Sequence, residues 1–328
     1  MKRYTLLAFL VVYSSLVSGQ LIRGRVVDKD SQQPVDFASI YIEGTFVGTT
    51  PSENGEFALD VSEYAGRPLY ISAVGYQTTS LDTQKKLDFH TIYLKKTVYE
   101  LDEVVLESAS LVKKREKYLK IFRKEFLGTS KNAKNCFILN EEAISFNYKT
   151  DRDTLKAFSR EPLIILNNSL GYQITYYLGK FEFDRSNNTT TFTGNISFNK
   201  DLSNIGQSRE DMKFNRKKTY LGSSKHFFTS LWEGNLLAEG FYVQKVRTAD
   251  ALKEEDFVFQ DSRGKKYFLY NEDLEISYDH YQTTVHFLRR MAFFDRDGFF
   301  EPEAILWYGY MSHARIADWL PYEYIPEH

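Results

Sequence analysis

Residues 24–76 read GRVVDKDSQQPVDFASIYIEGTFVGTTPSENGEFALDVSEYAGRPLYISAVGY. Short runs rich in β-branched and aromatic residues alternate here with Asp, Pro, Asn and Gly, which is the pattern of strands and tight turns. Extending outward, the spacing predicts strands over 21–27, 37–42, 57–61, 69–74, 89–94 and 101–106, with a polar turn over 28–34. In the second run Phe37, Ser39 and Tyr41 alternate with Ala38, Ile40 and Ile42. Asn54-Gly55 is a hairpin dipeptide, because both residue types tolerate positive φ. About seven short strands in about 85 residues predict an antiparallel β-sandwich.

Gly24, Val26 and Asp28, then Pro34, Ala38, Ile40 and Ile42, then Gly48-Thr49, Asn54-Gly55, Phe57, Leu59, Ser72 and Gly75-Tyr76 form a pattern. It resembles the carboxypeptidase-regulatory-like domain, a prealbumin/Ig-like β-sandwich. Pro51-Ser52-Glu53 departs from the Thr-Asp pair that the family more often has before the turn. The resemblance implies binding rather than catalysis. A metallocarboxypeptidase needs a His-x-x-Glu zinc pair, and the residues three after each internal histidine are Tyr93, Thr229, Thr283, Arg289 and Ile316. In outer-membrane transporters of Bacteroidetes a similar domain precedes an LDEVVV-like segment, and residues 100–106 read ELDEVVL. The roughly 220 residues that follow are too few for a plug and a barrel of about 22 strands. The layout resembles uncharacterised Bacteroidetes envelope proteins.

The N-terminus sets an expected compartment. Lys2-Arg3, the apolar run 6–13 and the mostly small or polar residues 14–19 read as a signal peptide over 1–19, leaving a mature chain from about Gln20. The run is shorter than the roughly 20 residues of a membrane-spanning helix. A lipoprotein would need a cysteine just after it, and the chain's single cysteine is Cys136. The expected location is therefore the periplasm or the outer membrane, by peripheral attachment. A formal charge of -2 supplies no global field for nucleic acid. Aromatic residues, at 16%, suit a strand-rich protein. Cys136 sits in KNAKNCFILN, where apolar flanks favour a buried small hydrophobe over a reactive thiol.

The expected organisation is a mainly β chain. A sandwich over 20–107 is followed by a connector helix over 108–128 and an α+β domain of unknown function over 129–328. In the connector, Tyr118, Leu119, Phe122 and Phe126 share one face, and Lys113, Lys114, Arg115, Lys117, Lys120, Arg123 and Lys124 the other. It reads either as a solvated connector or as a basic helix meeting anionic lipid. Strands are expected over 138–148, 154–159, 163–167, 172–184 and 189–199. Ser208 to Asp211 suggests a capping box opening one central amphipathic helix to about Glu233. That helix would turn Tyr220, Leu221, Phe227, Phe228, Leu231 and Trp232 to the core and stop at Gly234. Further strands to about Tyr310 and a short helix near 313–320 close the chain. A small membrane barrel does not accommodate the central helix.

Candidate chemistry is sparse. His280 and His286 would lie about 20 Å apart on one strand, too far for one ion. Asp295-Arg296-Asp297-Gly298 lacks the glycine and glutamate positions of an EF-hand. Gly222-Ser223-Ser224 is not a nucleophile elbow. Glu141, Glu142, Asp151 and Asp153 form the densest acidic group. No catalytic, metal or cofactor residue is assigned, and no cofactor is expected. The candidate for a binding surface is the aromatic tail, with Trp307, Tyr308, Tyr310, Trp319 and Tyr322, whose rings suit stacking on sugars. The expected function is non-enzymatic binding of an outer-membrane protein or an envelope polysaccharide such as peptidoglycan, without nucleic acid. The alternative is a peptide or glycan hydrolase with its site in the second domain.

Overall fold

A computed structural model describes residues 20–83, 89–97, 109–149, 153–202 and 209–327. The expected signal peptide, the 101–106 strand, Asp151 and Ser208 lie outside them. The chain is mainly β and divides into two units. The first holds residues up to 100 except Gly44–Phe46, which belong to the second.

In the first unit the strands are β1 (Leu21–Asp28), β2 (Ser39–Ile42), β3 (Gly48–Thr49), β4 (Glu56–Asp60), β5 (Leu69–Ser72), β6 (Thr79–Leu81) and β7 (His90–Leu94). They form two sheets, ordered β4-β1-β7 and β3-β2-β5-β6. Val26, Ala38, Ile40, Ile42, Val61, Leu69, Ile71 and Leu94 are sealed in the core. The predicted antiparallel sandwich is present with one exception, since β1 and β7 pair in parallel. Phe37 is no strand residue but an exposed turn residue, so the second strand starts at Ser39. Asn54-Gly55 does turn the chain, with Gly55 at φ +79 while Asn54 does not take a positive φ. The turn carries the chain from one sheet to the other rather than closing a hairpin, because β3 and β4 lie in different sheets. Gly24 has a steric reason: a Cβ there would stand 2.5 Å from the His90 carbonyl oxygen and 2.8 Å from the Phe57 ring.

The second unit opens with α1 (Ala109–Leu127). Next come β8 (Cys136–Ile138), β9 (Ile144–Lys149), β10 (Thr154–Ser159), β11 (Leu163–Asn167), β12 (Tyr172–Asp184) and β13 (Thr189–Asp201). One edge of β12 is covered by β13 along its length, and the other by β11 and then β10. α1 packs its aromatic face on this sheet, with Phe122 4.7 Å from Phe181 and Phe126 5.0 Å from Tyr176 between ring centroids. The expected 138–148 strand is split by a 3-10 turn, Glu141–Ala143.

The predicted single helix to Glu233 is two helices, α2 (Arg209–Tyr220) and α3 (Ser224–Glu233). Gly222, at φ +76, leaves the helical region between them. Ser223 then caps α3, its Oγ accepting from the His226 N–H at 3.1 Å. The break changes the helical phase, so Leu221 is exposed while Phe227, Phe228 and Leu231 are buried. Gly234 ends α3 in the left-handed region, as the sequence predicts. The remaining strands are β14 (Phe241–Lys245), β15 (Val258–Gln260), β16 (Lys266–Phe268), β17 (Leu274–Tyr278), β18 (Tyr281–Phe287), β19 (Ala292–Phe294) and β20 (Ile305–Gly309). They build a β14-β17-β18-β20 sheet and a β15-β16-β19 sheet. The helix expected near 313–320 is replaced by two 3-10 turns, Tyr310–His313 and Ile316–Asp318.

Candidate functional site

The β14-β17-β18-β20 sheet has one face on the α3 core and one face toward solvent. Phe241, Val243, Leu274, Ile276 and Val285 point inward. Alternation then places Tyr242, Gln244, Glu275, Ser277, Gln282, Thr284, His286, Leu306 and Tyr308 outward. Register arranges them in rows across the strands. Tyr242, Ser277 and Gln282 form one row, and Gln244, Glu275, Thr284 and Tyr308 the next. Side chains in a row stand about 5 Å apart. Tyr242 is 61% and Tyr308 54% exposed. They stand three strands apart, about 14 Å across the sheet.

Polar groups on this face are tied to one another. Gln244 Nε2 donates to Glu275 Oε1 at 2.5 Å, and His286 Nδ1 lies 2.7 Å from Asp273 Oδ1. The Gln244–Glu275 tie orients hydrogen-bonding groups between the two exposed rings, and the His286–Asp273 tie lies in the next row beyond Tyr308. The arrangement offers flat apolar faces flanked by amide, hydroxyl and carboxylate groups on a rigid sheet, which suits a polyhydroxylated ligand.

The five candidate aromatics do not form one surface. Tyr308 alone stands on this outer face. Trp307, its neighbour on β20, points inward against Phe300 at 5.5 Å. Tyr310 stacks on Tyr281 at 3.9 Å, and burial pushes its hydroxyl pKa up. Trp319 packs against the α1 core, and Tyr322 meets Phe299 at 5.6 Å. Tyr242 escaped the sequence reading, because it lies 66 residues before Tyr308 and only sheet register places the two on one face.

His280 and His286 do not share a strand, since His280 sits in the β17–β18 turn beside Asp279 at 2.7 Å. Asp295 forms a closed turn, accepting from the Asp297 and Phe299 N–H groups at 3.0 and 3.2 Å. Glu141 receives both Arg123 Nε, at 2.7 Å, and Arg123 Nη2, and Asp153 accepts from the Tyr148 hydroxyl. Two of the four acids, Glu141 and Asp153, are thus spent on structural pairs. Among the described residues no group of three or more His, Cys, Asp or Glu is placed to hold a metal. Cys136 is 5% exposed, and burial pushes its thiol up to about 12.

A buried histidine that no sequence motif marks, His226, lies beneath the same sheet. His226 Nδ1 accepts from the Gly222 N–H at 3.1 Å, so Nε2 carries the proton toward Glu239 Oε2 at 3.2 Å. Burial against Tyr220, Phe241 and Tyr278 lowers its pKa below the ordinary 6.5. It ties the α2–α3 break to the sheet.

In the first unit, Asp28 collects its own ligands. Its Oδ1 accepts from the Asp30 and Ser31 N–H groups at 2.9 and 2.8 Å. Its Oδ2 takes the Tyr76 hydroxyl at 2.8 Å and Lys96 Nζ at 3.2 Å. Asp28 and Tyr76 are residues of the sandwich signature, and their bond braces a turn. Residues 22–106 match the family model of the CarboxypepD_reg-like domain. The N-terminal module is a carboxypeptidase-regulatory-like domain. The match ends before α1, so the outer sheet face lies outside this regulatory-like domain. No curated protein matches the chain.

Proposed function

We propose that the protein is an exported, non-catalytic component of the cell envelope that holds an envelope polysaccharide on the outer face of the β14-β17-β18-β20 sheet. The carboxypeptidase-regulatory-like domain serves as its docking module toward an outer-membrane protein. The observation that carries the polysaccharide reading is the pair of exposed rings, Tyr242 and Tyr308, in adjacent rows, with Gln244, Glu275 and Thr284 leading across the strands to Tyr308. Sugar rings present C–H faces that stack on aromatic rings and hydroxyls that pair with amides and carboxylates. The export reading rests on Lys2-Arg3 and the apolar run that follows.

The test is co-sedimentation of the mature chain with envelope polysaccharide, including peptidoglycan sacculi. Binding that falls roughly tenfold in each of Tyr242→Ala and Tyr308→Ala, with unchanged melting temperature, supports the reading. Wild-type binding in both variants overturns it. In-cell crosslinking with mass spectrometry checks the docking role by recovering one outer-membrane protein. Asp273 and Glu275, two apart on the same face, keep the hydrolase alternative specific. Release of soluble sugar during the same incubation would decide for that alternative.

A further inference from the structure

α1 turns its aromatic side inward, while Val112 near its start is exposed. Phe122 and Phe126 are fully buried and Leu119 nearly so, in the core they share with β12. The opposite side carries Lys113, Lys117, Lys120 and Lys124, all exposed. Steps of four, three and four residues keep these lysines within an arc of about 60°. They form a straight stripe about 16 Å long. Lys114 flanks the stripe and is also exposed.

Glu116, on the same helix, is engaged by Arg123 Nη1 at 3.1 Å. Glu141, from the 3-10 turn before β9, is engaged by the same guanidinium. Glu125 pairs with Lys124 at 2.9 Å and accepts from Thr190 of β13 at 2.7 Å. Glu116, Glu141 and Glu125 are thus held by Arg123, Lys124 and Thr190, and Lys113, Lys117 and Lys120 make no ion pair among the described residues.

We propose that this lysine stripe docks the protein on an anionic membrane surface, through the phosphates of the lipid headgroups. Charge complementarity and the form of the stripe both favour that occupant. A straight row on one helix side meets a plane with all its ammonium groups at once. Lysine supplies point charges rather than the bidentate forks that single out individual phosphates. Duplex nucleic acid is the less suitable occupant, because the chain's formal charge of -2 gives no supporting field around the stripe. The contact is mainly electrostatic, since Leu119, Phe122, Phe126 and Leu127 of α1 are spent on the core and only Val112 is left exposed. No helix among the described residues is long and apolar enough to cross a membrane. The proposal rests on the envelope reading for its setting but uses a surface separate from the sheet face.

The experiment is co-sedimentation of the full mature chain with vesicles of phosphatidylcholine, alone or with about one third phosphatidylglycerol. Each surface lysine contributes about fivefold to partitioning. The expected result is binding to the anionic vesicles alone, strong at about 0.1 M salt and abolished at about 0.5 M. The K117E/K120E double variant loses at least about thirtyfold. The K200E/K253E variant, with the same change in net charge at exposed positions off the helix, retains binding. Three results overturn the proposal. One is no binding to anionic vesicles, another is equal loss in both double variants, and the third is displacement from vesicles by stoichiometric duplex DNA. A negative vesicle result leaves the polysaccharide reading standing, because that is read separately on sacculi with the tyrosine variants.

Discussion

The hydroxyl of Tyr76 donates to Oδ2 of Asp28 at 2.8 Å, joining two residues 48 positions apart. The bond ties the turn after β1 to the Gly75-Tyr76 corner after β5. Backbone N–H groups of Ser31 and Asp30, the Tyr76 hydroxyl and Lys96 together hold the Asp28 carboxyl far below the usual carboxylate range. The folded state thus binds this proton less tightly than the unfolded chain. The carboxylate's contribution is present above the ordinary value of 3.8 and is lost as pH falls through the lowered folded value. Thermal melts from neutral pH into acid should show a decline below about pH 4 that is shallower in Asp28→Asn. Tyr76→Phe should lower the melting temperature at neutral pH.

His226 acts in a different window. Burial disfavours its charged form, and the bond to Glu239 only partly offsets this, so its folded pKa lies below 6.5. Its stabilisation is present above the unfolded value and is lost as pH falls through the folded one. The melting temperature should decline below about pH 6.5, and His226→Gln should flatten that decline. An unchanged slope in the variant would remove His226 as the cause.

Gly24→Ala should destabilise the first unit by about 1–3 kcal/mol, because the new methyl meets a backbone carbonyl that cannot move without disturbing the β1–β7 ladder. Denaturant unfolding measures it, with the loss appearing in the midpoint rather than in the slope.

Cys136 should react with a thiol reagent at neutral pH only after unfolding. Its thiol is buried and pushed up to about 12, so the thiolate is scarce in the native state. Labelling timed with and without denaturant checks this.

Much of the first unit was legible because its signals are local. The β1 alternation, the Gly55 turn and the buried Ala38, Ile40 and Ile42 need only neighbours in sequence to be read. The parallel β1–β7 pair was not legible, since it joins residues more than sixty positions apart and local patterns carry no strand order. The α2–α3 break was written in Gly222-Ser223, a left-handed glycine followed by a cap, but continuous aromatic spacing masked it.

The candidate site shows the same division. The sequence alone determined that a strand-rich chain carries a carboxypeptidase-regulatory-like module, that α1 has an aromatic side and a lysine side, and that Cys136 is surrounded by apolar residues. These follow from residue type and short-range periodicity, which the backbone converts directly into faces. Tertiary structure decided that Tyr308 shares a face with Tyr242 while Trp307 does not. It also decided that Glu141 is spent on Arg123, and that His226 is sealed against Phe241 and Tyr278. Those facts depend on which strands become neighbours and in what register, and a one-residue slip would move every side chain to the opposite face.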